Sequence, residues 1–166
     1  MHSLTQSIAG FASSFSKQAI PPASIALARD AFIDLIGVML AGGREPVVEI
    51  LKKTMPMREG GHCSLLLNSL ARRDAATAAL INGTAAHALD YDDVQFNAHP
   101  STVLVPAILA ETERSSASGM RALQAYVLGY EVWGELHSRE NNPYHDKGWH
   151  PTAVMGTMAS TAAVAF

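Results

Sequence analysis

An all-α protein is what this sequence predicts, and three observations predict it. Alanine, the residue with the best intrinsic helix propensity, occurs 27 times in 166 residues. Clusters of β-branched residues, which strands favour, are scarce. Along most of the chain apolar residues recur at spacings of three and four, the period of a helix that buries one face.

The first such stretch carries Leu4, Ile8, Phe11 and Phe15, a short amphipathic helix. Pro21-Pro22 ends it and can start the next, because proline is tolerated in a helix's first turn. Ile25, Ala28, Phe32, Leu35, Ile36, Met39 and Leu40 then form one apolar stripe, which Gly42-Gly43 stops. Pro46–Met55 reads as a third helix, with Lys52 and Lys53 at the end that favours cations. Arg58–Gly61 is a polar loop. Cys63–Leu67 is too short for its pattern to separate helix from strand.

Asp74 is placed to cap an alanine-rich helix running from Ala75 to about Asp90. Val103–Glu113 forms another helix, introduced by Ser101-Thr102, and Gly119 separates it from Met120–His137. In that long helix Leu123, Val127, Tyr130 and Leu136 are expected toward the core. Ser138–Gly148 is a polar loop with a proline and a glycine. The last segment, from His150-Pro151 onward, has no charged residue, and Gly156/Ser160 and Ala159/Ala163 stand four apart. Small residues at that spacing predict a fully buried helix. It stops at Phe166 without glycine, charge or polar tail, which predicts an N-terminal fragment of a longer protein.

Composition removes several function classes. The net charge is −3 with no basic run, so neither nucleic acid nor an anionic membrane is an expected partner. The single cysteine, Cys63, rules out a disulfide within the chain and an iron–sulfur cluster held by it alone. Nothing near Cys63 in sequence lowers its pKa, so it reads as an inert core thiol. The N-terminus lacks the basic start of a signal peptide, and Arg29, Asp30 and Asp34 interrupt the longest apolar run. A cytoplasmic protein is expected.

Chemistry concentrates in Asn82–Ser101, NGTAAHALDYDDVQFNAHPS. His87, Asp90 and Tyr91 are three and four apart, so a helix reaching that far would stack them on one face. Three readings compete. A metal site has possible ligands in His87, Asp90, Asp92, Asp93 and His99, but specific templates fail: Ala88 follows His87, Phe96 spoils an aspartate-rich box, and Gln95 stands where a calcium loop needs glycine. In a structural reading Asp92 and Asp93 cap the next helix and His87 is a satisfied core histidine. The third reading is acid–base chemistry on a carboxylate substrate: histidine titrates near neutrality, and an aspartate can orient it. His99 and His150 each precede a proline at a helix entrance, where the positive end of the helix favours bound anions.

NGTAAHALDYDD followed by HPS, then SGMRALQAYVLGYEVWGEL, then GWHPTAVMGT, resembles the MmgE/PrpD family. That family includes 2-methylcitrate dehydratase, cis-aconitate decarboxylase and iminodisuccinate epimerase. The resemblance implies a large helical domain, of which residues 1–166 are the incomplete N-terminal portion, with a smaller lid domain absent. It implies catalysis without metal or organic cofactor and a homodimer of the full-length protein. By position, Asp90, His99 and His150 are the implied catalytic residues, with Asp93, His87 and Lys147 as substrate contacts and Tyr91 a weaker candidate. The implied activity is 2-methylcitrate dehydratase-like: proton abstraction beside a carboxylate of a small polycarboxylate, then loss of water. A related decarboxylase or epimerase, or a non-catalytic helical scaffold, is the alternative. Val94 stands where the family has threonine, removing a hydroxyl. Further site residues of the family lie beyond Phe166, so the 166 residues alone are expected to be weakly active or inactive.

Overall fold

Proline-started and capped helices dominate the computed structural model, which describes residues 3–15, 20–55, 61–66 and 68–166. In order these are α1 (Leu4–Ser14), α2 (Pro22–Gly42), α3 (Pro46–Thr54), a hairpin of β1 (Cys63–Leu65) and β2 (Asn68–Arg73), α4 (Ala75–His87), α5 (Pro100–Ser115), α6 (Gly119–Ser138) and α7 (Pro151–Ala165). The all-α expectation holds, with the hairpin as its one departure among the described residues. Most of the loop expected at Arg58–Gly61, and Leu67, lie outside the described residues.

The sequence specifies the helix starts locally. Proline opens α2, α3, α5 and α7, where its missing N–H costs no helical bond. Ser3 and Gln6 form a capping box on α1. Asp74 accepts from the Thr77 amide at 3.1 Å and starts α4, an arrangement typically worth about 1 kcal/mol. Ser118 does the same for α6 through the Arg121 amide.

The core lies where α2, α4, α5, α6 and α7 meet, around Leu35, Met39, Ile81, Leu104, Leu128, Trp133 and Met155. Close approach depends on small residues. A Cβ on Gly42 would fall 2.1 Å from the Ala85 carbonyl oxygen of α4, and one on Gly129 would fall 2.7 Å from Leu104 of α5. Helix α6 turns its expected residues toward the core, with Leu123, Val127 and Tyr130 packed at its edge, and that close packing adds a more deeply buried stripe. Ala122, Ala125, Leu128, Val132 and Trp133 are buried, whereas Leu123, Val127 and Tyr130 are only partly so. Leu136 is buried as expected.

Two further expectations are corrected. Leu40 of the α2 stripe is exposed, because the helix turns its core face through Phe32, Leu35 and Met39. Helix α7 buries Met155, Gly156, Ala159, Ala162 and Ala163 but leaves Thr157, Met158, Thr161 and Val164 exposed. It is thus a one-faced helix rather than a fully buried one.

The hairpin is antiparallel, pairing Cys63 with Arg73, with an irregularity between Ser64 and Leu65. Side chains of two helices hold it. The Asn82 amide of α4 donates to the Ser64 carbonyl and accepts from the Leu66 amide. Glu113 of α5 accepts from both the amide and the hydroxyl of Ser64. Cys63 is buried and donates to the Ala110 carbonyl; burial, reinforced by Glu113, pushes its thiol up. Among the described residues no helix is long and apolar enough to cross a membrane.

Candidate active site

The acidic stretch does not continue α4. That helix ends at His87, near the negative end of its dipole where a histidine is favoured, and the acids lie in the following loop. Asp90 takes a left-handed backbone with φ 55°. The expected single helical face of His87, Asp90 and Tyr91 is therefore not formed, and Tyr91 points to solvent.

A tight reversal then brings the chain back. Gln95 and Ala98 exchange two backbone hydrogen bonds, of 2.9 and 3.0 Å, around Phe96 and Asn97, both with positive φ. Two left-handed central residues make the turn that suits a reversal of this kind. Asparagine tolerates that backbone readily; phenylalanine does not, and its ring is held against Tyr130 and His137 of α6.

The reversal delivers His99 onto Asp90 and Asp92. Asp92, with a fully buried side chain, presents both carboxylate oxygens to His87 Nδ1 at 3.0 Å. The same carboxylate lies 3.3 Å from His99 Nδ1, a close contact outside hydrogen-bond alignment. On the other edge of the His99 ring, Nε2 lies 3.7 Å from the carboxylate of Asp90, whose side chain is 78% exposed. The two imidazoles meet edge to face with centroids 4.6 Å apart. One buried carboxylate thus serves two histidines, and one of them is flanked by a second, solvated carboxylate.

Neighbouring groups fix the frame. His99 precedes α5, and its amide donates to the Thr152 hydroxyl in the first turn of α7 at 3.0 Å, tying the two helix starts together. Asp93 accepts from the Ser101 amide at 3.1 Å and so caps α5 from outside. The Ser101 hydroxyl lies 2.8 Å from the Tyr126 hydroxyl. Burial raises the Asp93 carboxyl, with Asp92 adding to the rise and hydrogen bonds from Ser101 opposing it. Burial also pushes Tyr126 well up, and Tyr130 up to about 12 with Asp93 contributing.

An acid whose pKa is raised on folding stabilises most below its unfolded value and loses that contribution as pH rises through the folded one. Asp93→Asn keeps an acceptor for the Ser101 amide while removing the buried charge. The variant should melt at or above the parent temperature at pH 7, with the gap closing as pH falls toward about 4, the ordinary carboxylate range. Thermal melts across that range test it; a gap that widens on acidification would contradict the burial account.

The chain matches the MmgE/PrpD N-terminal domain over residues 6–166. It belongs to the MmgE/PrpD family. It is similar to cis-aconitate decarboxylase of Mus musculus, 28% identical over 170 residues that cover 98% of this chain and 35% of the mouse protein. It is also similar to cis-aconitate decarboxylase of Homo sapiens, 40% identical over 92 residues, or 52% of this chain and 19% of the human protein. The chain spans about a third of the length of the mouse relative.

In this MmgE/PrpD chain His87, Asp90 and His99 come together, and Asp93 braces the helix beside them. His150 precedes α7 and lines, with His87, Thr84, Thr102, Leu80 and Val103, an open groove of about 650 Å³ between α4, α5 and α7. Lys147 lies in the 3₁₀ turn His145–Lys147 and pairs with Glu140 at 2.6 Å. Asp92, the residue at the centre, was not singled out as catalytic or substrate-binding from sequence. The five positions back to His87 fit neither a helical nor a strand period, and the seven on to His99, a helical spacing, run through a loop.

The same turn assembles a donor set that local templates cannot detect: one atom each of His87, Asp90, Asp92 and His99 lie within 4.8 Å of one another. Two imidazoles and two carboxylates could hold a zinc-like cation. As arranged here, the Asp92 oxygens already face Nδ1 of both histidines.

Proposed function

We propose that this chain supplies the acid–base part of a lyase active site that acts, without an organic cofactor, on a small polycarboxylate. The observation that carries the reading is the His99 imidazole, held between buried Asp92 and exposed Asp90 at the start of a helix. A base beside a carboxylate-bearing carbon must accept a proton, hold the charge that follows, and return a proton to the product or leaving group. An imidazole backed by a fixed carboxylate does the first two, and the solvated Asp90 offers an exchange route for the proton. The starts of α5 and α7, joined through His99 and Thr152, favour the carboxylates of the substrate. His150 stands at the second of these and lines the same groove as His87.

Two reactions fit this chemistry. Dehydration of 2-methylcitrate is the reading implied by the sequence resemblance. Decarboxylation of a tricarboxylate such as cis-aconitate is favoured by the names of the two relatives. Dehydration takes a proton from carbon and gives one to the departing hydroxide, whereas decarboxylation breaks the C–CO2 bond and gives a proton to the carbanion left behind, so an imidazole that accepts and returns protons serves either. Offering the gene product that carries this chain each acid separately distinguishes them: dehydration yields a conjugated alkene seen by ultraviolet absorbance, and decarboxylation releases CO2. Turnover of either acid supports the lyase reading. Turnover of neither, with no saturable binding of either, would leave the scaffold alternative. Elemental analysis finding stoichiometric metal would move the site to the zinc-like reading. We further propose the homodimer expected for the family, which light scattering on the gene product checks.

A further inference from the structure

The site holds a second imidazole that the lyase reading has not used. His87 could have been a satisfied core histidine, but its side chain is 39% exposed and it lines the groove shared with His150. Its Nδ1 is fully committed, at 3.0 Å from both oxygens of Asp92. An unprotonated Nδ1 there would set its lone pair against two carboxylate oxygens, so the proton of the neutral ring belongs on Nδ1. His99 is placed alike. Its Nδ1 is buried and 3.3 Å from Asp92, whereas its Nε2 is 3.7 Å from a carboxylate that water screens. The nearer, buried charge decides where the proton sits. Asp92 in turn is a buried carboxylate, and its hydrogen bond from His87, with the His99 ring edge 3.3 Å away, is what makes its burial tolerable.

We propose that Asp92 is a positioning residue that holds His87 and His99 together as neutral imidazoles protonated on Nδ1. Each ring then offers an Nε2 lone pair, His99 beside Asp90 and His87 toward the groove. His87 becomes a second proton-accepting group: a proton taken from a ligand in the groove onto Nε2 leaves an imidazolium whose charge Asp92 balances. This rests on the lyase reading for its purpose but not for its geometry. In water a free imidazole favours the proton on Nε2, so the arrangement leaves a signature that ordinary packing does not.

Long-range 1H–15N correlation spectra of the 166-residue chain, recorded where both rings are neutral, read the tautomers directly. The expected pattern is Nδ1–H for both His87 and His99. Asp92→Asn offers one amide oxygen in place of a carboxylate and should convert at least one ring to Nε2–H. An Nε2–H pattern at either histidine in the parent chain overturns the proposal, and that measurement needs no variant to fold. Unchanged tautomers in a folded Asp92→Asn chain overturn it as well. In a gene product that turns over substrate, Asp92→Asn should lower kcat by about tenfold or more with little change in KM. Nδ1–H tautomers in a protein that turns over neither acid would count against the lyase reading alone.

Discussion

His99→Ala is expected to lower kcat/KM of the turnover-competent gene product by about 10²- to 10⁴-fold, the range a positioned acid or base contributes. That corresponds to about 3–5 kcal/mol of barrier. The fold should survive the change. The backbone amide at position 99 still donates to Thr152, Pro100 still opens α5, and Asp93 still caps the Ser101 amide. Truncation therefore removes the imidazole and little else. Asp90→Asn should cost less, because the Asp90 carboxylate is largely solvated and 3.7 Å from the ring. Steady-state kinetics with a melting control measure both. A folded His99→Ala protein that keeps its rate within threefold would remove His99 from the reaction.

The contrast between α4 and the loop after it shows what the sequence could and could not reveal. Helix starts were legible because they are local: Asp74 three residues before Thr77, Pro22 and Pro100 at first turns. Helix faces were less so. Gly129 lets α6 approach its neighbours closely, so the most deeply buried stripe runs through Ala122, Leu128, Val132 and Trp133, with Leu123 and Val127 packed at its edge. The hairpin escaped notice because Asn68–Arg73 lacks an alternating pattern, and because its first strand is held at Ser64 and Leu66 by Asn82 and Glu113, both distant in sequence. At the site, His87, Asp90 and His99 stood out by residue type. Their mutual geometry depended on three left-handed residues, Asp90, Phe96 and Asn97, and phenylalanine among these gives no sign of such a backbone. Periodicity assumes that an element continues, so it ran α4 past His87 and passed over the aspartate that joins both histidines.

The largest stability effect should come from Trp133. Its ring is fully buried on α6, and a Cβ on Gly156 of α7 would lie 3.2 Å from it. Trp133→Ala would open a cavity between helices that Gly156 shows to be closely packed, at a cost of about 3–5 kcal/mol. Against a total stability of about 5–15 kcal/mol that is a large fraction. With a urea dependence of about 2 kcal/mol/M, the midpoint should fall by about 2 M. Trp133→Phe separates ring packing from indole polarity. The indole Nε1 is buried without an acceptor among the described residues, and an unmet buried donor costs about 1–3 kcal/mol. Phenylalanine loses part of the ring but also that unmet donor, so its penalty should be less than half that of alanine. Equal losses for the two variants would mean that the N–H does have a partner. The effect reaches the site through α7, because the helix that packs on Trp133 carries in its first turn Thr152, the residue that accepts from the His99 amide. Partial loosening of α7 in Trp133→Phe should therefore weaken the His99 amide's protection from hydrogen exchange before it unfolds the core.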